Sequence, residues 1–126
     1  MATGFPSPAD DFADITLDLN KYLVENPVST FFMRVGSDLM TAAGIQRGDM
    51  LVVDRIAQVS DGSLVIASVG DELVVRRLKM RKEKMYLKTE SKVHDELLTE
   101  DEDFAIWGVV RWIIHKVQNG SNYDFP

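Results

Sequence analysis

The sequence of 126 residues contains no cysteine. This excludes disulfide bridges, a thiolate nucleophile and zinc sites built on cysteine. The two histidines, His94 and His115, leave little material for a histidine metal site or a histidine-based triad. We expect His94 to be a solvated loop side chain and His115 a half-buried packing residue. Gly36, Gly44 and Gly48 match neither a phosphate-binding loop nor a dinucleotide fingerprint. The sequence therefore predicts no metal and no cofactor.

Positive charge is also scarce, since 14 lysines and arginines face 20 acidic residues and leave a net charge of -6. Nucleic-acid binding usually needs clustered basic residues against the phosphates, so the composition predicts no direct contact with nucleic acid. No apolar run approaches the ~20 residues of a membrane span, and the N-terminus lacks the build of a signal peptide. We expect a cytoplasmic protein without membrane contact.

The composition that remains is that of a globular domain, with 45% apolar and 27% charged residues. Pro6 and Pro8 favour an extended path near the N-terminus, where Phe5 and Phe12 are the large apolar side chains. The sequence therefore predicts an extended arm over residues 1–16, a β domain over residues 17–118 and a flexible tail over residues 119–126.

Local patterns predict a mainly β domain with one short helix. Asp18 is a suitable N-cap for a helix over residues 19–25, which Asn26 and Pro27 would end. Predicted strands cover residues 30–35, 50–56, 63–69, 72–80, 85–88 and 104–117. Gly70-Asp71 fits a two-residue hairpin, and Gly108 marks a bulge or bend. Without crossover helices between the strands, we expect a curled, mostly antiparallel sheet.

One predicted strand carries a local basic stretch in this acidic chain. Its arginines, Arg76 and Arg77, must face opposite sides of the strand, so one of them points at the core or at a partner. Further basic residues follow at Lys79, Arg81, Lys82 and Lys84. The acidic runs at residues 10–11 and 100–103 are expected to form solvated surfaces.

Five segments resemble one known family. They read GFPSPADDF (4–12), LDLNKYLVENPVSTFFMRV (17–35), GIQRGDMLVVDR (44–55), DGSLVIASVGDELVVRRL (61–78) and FAIWGVVRWIIH (104–115). The chain resembles the UmuD group of SOS mutagenesis proteins, which is related to the LexA repressor and its self-cleaving peptidase domain. The resemblance implies the curled β fold of the LexA/UmuD peptidase domain.

Members of this family cut their own N-terminal arm with a serine-lysine dyad, in which a neutral lysine takes the proton of the serine hydroxyl. The serine lies in a Ser-Gly-Asp-Ser-Met type motif, and the matching segment here, VGSDLM, has Leu39 at the nucleophile position. The lysine opens a Lys-Lys-Leu or Lys-Arg-Leu motif, and the matching segment, VRRL, has Arg76 at the base position. Leucine carries no nucleophile, and arginine does not lose its proton in proteins. The resemblance therefore implies a degenerate peptidase homologue with no catalytic residues, not an enzyme.

Two further expectations concern this site. We expect the charge of Arg76 to reach a carboxylate, of which Asp38 is nearest in sequence, or solvent. A dyad relocated to Ser37 and Lys79 is disfavoured, because a shift of three positions along a strand changes the face.

The GFPSPA motif lies near the start of the chain, as in processed family members. In the family, the processed form is a homodimer that joins a UmuC-like Y-family polymerase subunit, and the RecA filament is a further partner. The resemblance implies a non-catalytic accessory subunit of an error-prone translesion polymerase in the SOS response to DNA damage. It places Ile106, Trp107, Gly108 and Val109 near the dimer contact, although they could equally form the core of a central strand. The alternative is an inactive regulator that heterodimerises with an active UmuD or LexA-type protein.

Overall fold

The computed structural model describes residues 17–100 and 103–119. These residues form one short helix, α1 (Leu19–Leu23), one 3-10 turn (Thr41–Ala43) and a seven-stranded sheet. The strands are β1 (Thr30–Arg34), β2 (Met50–Asp54), β3 (Leu64–Val69), β4 (Glu72–Arg81), β5 (Lys84–Lys88), β6 (Leu98–Glu100) and β7 (Phe104–Ile114). Their order is β1-β2-β7-β3-β4-β5-β6, and every neighbouring pair is antiparallel. The predicted mainly β, antiparallel fold is confirmed. Residues 1–16 and 120–126 lie outside the described residues, so the predicted arm and nearly all of the tail do too.

Helix α1 begins as the sequence predicts. The Asp18 carboxylate accepts hydrogen bonds from the backbone N–H groups of Asn20 and Lys21, at 3.1 and 3.4 Å. This satisfies two of the N–H groups that have no partner within the helix. The helix ends two residues before the predicted boundary, because Val24 is already extended.

Two predicted irregularities of the sheet are confirmed. Val69 pairs with Glu72, so Gly70-Asp71 forms the tight hairpin between β3 and β4. The register between β3 and β7 shifts beside Gly108, which marks a bulge. A Cβ atom at Gly108 would lie 2.7 Å from Cγ1 of Val53, so only glycine fits against β2 at this point.

The structure adds one strand to the six that the sequence predicts. Strand β6 lies in a segment that the sequence analysis read as a polar loop, and it pairs with β5 at the sheet edge. The preceding hairpin joins two predicted strands, and its two-residue turn is formed by Lys82 and Glu83 at φ 48° and 69° without a glycine. A positive φ is uncommon for such side chains, so composition gave no signal for this turn.

The core lies on both faces of the sheet, because consecutive strand residues point to opposite sides. One cluster packs the loop after β1 onto the sheet and contains Val35, Met40, Ile45, Leu51, Val53, Ile66 and Val75. The other contains Val65, Ala67, Leu78 and Leu87. Central strands β3 and β4 contribute to both clusters, so they form the rigid base on which surface sites rest.

Candidate functional site

A cleft of about 430 Å³ lies between the segment after β1 and the first half of β4. Its lining comes from residues 33–37, Leu39 and residues 72–76. The structure therefore brings the two positions singled out from sequence, Leu39 and Arg76, to one concave surface. Ser37 lines the same cleft.

The backbone around Leu39 is held from behind by the segment after β5. The carbonyl of Leu39 accepts a hydrogen bond from the N–H of Glu90 at 2.9 Å, and the carbonyl of Glu90 accepts one from Ala42 at 2.8 Å. Val35 and Met40 are buried on either side, with 3% and 1% of their surface exposed. Leu39 is thus fixed at the cleft wall by neighbours on both sides.

Arg76 is half-buried, and its guanidinium donates a hydrogen bond to the carbonyl of Val75 at 2.8 Å. Partial burial lowers the pKa of Arg76, and the nearby charge of Glu72 opposes that effect. Asp38, the nearest carboxylate in sequence, does not receive this charge, whereas the half-buried side chain keeps the access to solvent that the expectation also allowed. The carboxylate of Asp38 instead pairs with Arg47 at 3.1 Å.

Arg77 points to the other side of β4, as the alternation of a strand requires. Its Nε and Nη2 atoms donate to the Glu90 carboxylate at 3.2 and 3.0 Å, and Nη1 donates to the Gly62 carbonyl at 2.9 Å. The Arg77 hydrogen bond holds the pKa of the Glu90 carboxyl below its usual value, against the effect of partial burial. Because the Glu90 backbone also supports Leu39, Arg77 stabilises the cleft wall from behind.

The cleft keeps an open strand edge. Strand β5 pairs only with residues 77–81 of β4, so within the described chain residues 72–76 have β3 on one side and no strand on the other. Such an edge can accept an extended peptide through backbone hydrogen bonds. The described residues that line the cleft include the Ser37 hydroxyl and the Glu72 carboxylate, but no lysine or histidine that could serve as a base.

A second concavity lies further along β4, towards its hairpin with β5. It measures about 370 Å³ and is lined by Lys79, Arg81, Tyr86, Lys88, Glu96 and Leu98, which we call the basic notch. Lys79 therefore lines a different concavity from Ser37, and the structure does not bring these two together. In the described ranges, no group of three or more potential ligands is placed to hold a metal ion, and no helix is long and apolar enough to cross a membrane.

The two histidines differ in their surroundings. His94 is exposed, as expected. His115 is more than a packing residue, because its Nδ1 lies 2.6 Å from Oδ1 of Asp49, whose side chain is 1% exposed. The other Asp49 oxygen accepts the N–H of Gln46 at 2.8 Å. His115 thus fastens the end of β7 to the turn before β2, a pairing that residue spacing did not predict.

The four residues predicted near a dimer contact are placed unequally. Gly108 is buried, Ile106 packs against the core and Val109 is half-buried between β2 and β3. Trp107 is 37% exposed, with the Arg55 guanidinium 4.0 Å from its ring centre. The central-strand alternative therefore holds for Gly108 and Ile106, whereas the dimer interface stays a prediction.

The larger apolar surface on β7 lies further along the strand. Trp112, Ile113 and Ile114 are 38%, 36% and 42% exposed. Strand β3 pairs with β7 only up to Val109, so residues 110–114 have β2 on one side and no strand on the other within the described chain. This surface was not predicted from the sequence, because a continuous apolar run does not show which of its side chains are left exposed in the folded chain.

Comparisons with known proteins cover most of the chain. A family model described as Peptidase S24-like matches residues 1–111. Protein ImpA of Salmonella typhimurium is 41% identical over 115 residues, which is 91% of this chain and 79% of ImpA. Protein MucA of Escherichia coli is 37% identical over 87% of this chain and 76% of its own length. LexA repressor 2 of Pseudomonas syringae pv. tomato is 32% identical over 92% of this chain and 57% of the repressor.

Proposed function

Since the chain belongs to the Peptidase S24-like family and is of the UmuD type, we propose that it is a non-catalytic accessory subunit of an error-prone translesion DNA polymerase. The resemblance to SOS mutagenesis proteins predicted from the sequence is thereby confirmed at the family level. In this proposal, the protein is a cytoplasmic homodimer that joins a Y-family polymerase subunit after DNA damage. The RecA filament is a further proposed partner.

The proposed non-catalytic role is supported by the chemistry of the residues that line the cleft. Leu39 and Arg76 line it together, at the positions where the family resemblance places the nucleophile and the base. A leucine side chain has no nucleophilic atom, and a guanidinium keeps its proton even where burial lowers its pKa. Ser37 is the one hydroxyl among the described lining residues, and no lysine or histidine of that lining could activate it.

The geometry of β7 supports a homodimer. Residues 110–114 combine an open strand edge with the exposed side chains of Trp112 and Ile114. Antiparallel pairing of this edge with its own copy satisfies two-fold symmetry, because each residue then meets the same segment of the partner. Trp107 lies nearer the middle of the strand and would extend the contact.

Sedimentation velocity tests this arrangement. We expect Ile114→Asp to shift the protein from dimer to monomer at micromolar concentration, because a carboxylate would be buried against apolar surface. Val93→Asp is the matched control, since Val93 is 72% exposed in a loop away from β7. Dimers that survive Ile114→Asp and also Trp112→Asp would contradict this interface.

Two experiments test the function. Affinity capture with the host's Y-family polymerase subunit is expected to retain the protein, and retention by LexA-type proteins alone would overturn the accessory role. Incubation with a UmuD-type substrate that carries an intact arm is expected to give no cleavage. Any cleavage by the wild-type protein would overturn the non-catalytic assignment, and its loss in Ser37→Ala or Lys79→Ala would identify a relocated dyad.

The open edge of β4 favours a second candidate, an inactive regulator of an active UmuD or LexA-type relative. The cleft has room for an extended segment, and residues 72–76 offer unpaired backbone groups to it. A chain of this kind would hold the relative's arm without cutting it. In a mixing experiment, slower self-cleavage of the relative would support this candidate, and an unchanged rate would exclude it.

A further inference from the structure

The β4–β5 hairpin gathers positive charge on one face. Arg77 pairs with Lys88, Lys79 with Tyr86, and Arg81 with Lys84 across the two strands. Directly opposed residues of an antiparallel pair point to the same side, so five cations and one aromatic ring share this face. Lys82 extends it at the hairpin turn. Alternate residues of a strand repeat about every 6.6–6.8 Å, which spaces these charges evenly along the hairpin.

The cations at the two ends of this face have different surroundings. Towards the sheet interior, Arg77 is held by Glu90 at 3.0 Å, and Lys88 lies 3.5 Å from Glu96. Towards the hairpin turn, Lys79 and Arg81 form no ion pair with any described residue. The same holds for Lys82 and Lys84, which are both exposed. The end of the face nearest the turn therefore presents cations without an ion pair to a described residue, although Glu83 lies in the turn and Glu100 lies opposite Tyr86.

The basic notch adds a concave shape and an aromatic ring to this charge. Lys79, Arg81 and Lys88 line a space of about 370 Å³ together with Tyr86, while Glu96 in the same lining pairs with Lys88. A ring flanked by cations is the arrangement by which proteins bind single-stranded nucleic acid, with bases stacked on the ring and phosphates against the cations. An acidic peptide would use the cations but would gain no stacking from Tyr86. We propose that the basic notch and the hairpin turn bind single-stranded nucleic acid, with a base stacked on Tyr86 and phosphates on Lys79 and Arg81.

The net charge of -6 opposes this contact only weakly at physiological ionic strength. Salt screens exposed charges beyond about 8 Å at physiological ionic strength, so a phosphate on the hairpin responds chiefly to the cations beside it. The composition-based expectation of no nucleic-acid contact sums charges over the whole molecule. The sheet register instead places the cations of β4 and β5 on one face, so the local charge differs in sign from the net charge.

Fluorescence anisotropy with a labelled oligothymidylate tests the proposal on the isolated full-length protein, so the result is independent of any polymerase partner. We expect binding that weakens with salt, and the double variant Lys79→Ala/Arg81→Ala should reduce the slope of log affinity against log salt by about 1.4, or about 0.7 for each lost phosphate contact. The matched control is Lys21→Ala/Lys116→Ala, which removes equal charge from two exposed positions outside the hairpin. This control should leave the slope unchanged.

Variants of Tyr86 separate stacking from charge. Tyr86→Ala should weaken binding about tenfold, whereas Tyr86→Phe keeps the ring and should bind as the wild type does. Glu100→Gln provides a variant with the opposite effect. Glu100 pairs with Tyr86 across β5 and β6, so removing its charge should strengthen binding.

Competition with polyglutamate distinguishes nucleic acid from an acidic protein partner. Polyglutamate should displace the oligonucleotide poorly, because it supplies charge without bases. Three results would overturn the proposal: no binding at low salt, equal salt slopes for the hairpin and control variants, or equal displacement by polyglutamate with no effect of Tyr86→Ala. The last result would assign the surface to an acidic protein instead.

Discussion

The cleft and the basic notch lie towards opposite ends of the same strand, β4, and differ in the chemistry of their side chains. The cleft receives Arg76, whose half-buried guanidinium bonds only a backbone carbonyl among the described residues, and it meets Leu39 there. The notch receives Lys79 and Arg81 beside an aromatic ring. Because alternate residues face opposite sides, changes at one set of positions leave the other set in place. The proposed loss of peptidase chemistry in the cleft is therefore compatible with a separate binding surface further along the strand.

The largest expected effect comes from rebuilding the family dyad in the cleft. Leu39→Ser with Arg76→Lys supplies a hydroxyl and a partly buried lysine at two positions that already line one cavity. We expect this double variant to cleave a UmuD-type arm in trans, and each single variant to be at least about a hundredfold slower, since the nucleophile needs its base. Time courses followed by gel electrophoresis measure the rates. An inactive double variant that is folded by circular dichroism would mean that the cleft differs from an active site in more than these two residues.

The next effect compares the two adjacent arginines. Arg77→Ala leaves the Glu90 carboxylate without the guanidinium that binds it through two nitrogen atoms, and we expect a loss of about 1–3 kcal/mol in the free energy of unfolding. Arg76→Met should change stability by less than about 0.5 kcal/mol, because burial disfavours the charge that is removed. Urea unfolding measures both values. An equal loss from the two variants would contradict the difference between the two faces.

A smaller effect is the pH dependence of the Arg77–Glu90 pair. Arg77 holds the pKa of folded Glu90 below its ordinary value of 4.5, so the pair's contribution is complete above that value and is lost as pH falls through the folded pKa. We expect Glu90→Gln to be less stable than wild type at neutral pH, with a difference that shrinks as the solution is acidified. Urea midpoints between neutral pH and about pH 3 measure this convergence. Asp54, whose pKa is also lowered, chiefly by its hydrogen bond from Ile56, titrates in both proteins and serves as the internal control.

The smallest expected change in stability comes from substitutions in the basic notch. Lys79→Ala and Arg81→Ala should each change the free energy of unfolding by less than about 0.5 kcal/mol, because neither side chain forms an ion pair with a described residue. Thermal unfolding provides the measurement. A large loss from either variant would show that the cations stabilise the fold, and the contrast with Arg77 would disappear.

Much of the fold could be predicted from local sequence. The Asp18 cap, the Gly70-Asp71 hairpin and the bulge beside Gly108 all follow from residue types whose backbone preferences are strong. Strand β6 and the turn between β4 and β5 contain no residues with such strong preferences. Strand β6 has three residues and exists because it pairs with β5, and the Lys82-Glu83 turn adopts positive φ without glycine.

The candidate site was likewise only partly predictable from the sequence. The family motifs predicted Leu39 and Arg76 as the dyad positions, but they did not predict the pairing of Asp38 with Arg47, which depends on how the chain folds back around the 3-10 turn between β1 and β2. The contact of His115 with buried Asp49 spans 66 positions and was equally unpredictable. It depends on the pairing of β2 with β7, which residue spacing alone does not specify.

By itself, the sequence determined the class of fold and the residues available to each face of β4, since both depend on local preferences and on the two-residue period of a strand. Only the tertiary structure decided which side chains from other segments lie beside those faces. The β-sheet register brings Tyr86 beside Lys79, and the loop after β1 brings Leu39 beside Arg76. These neighbours come from distant parts of the chain, and their meeting depends on how all seven strands pair and bury the two core clusters.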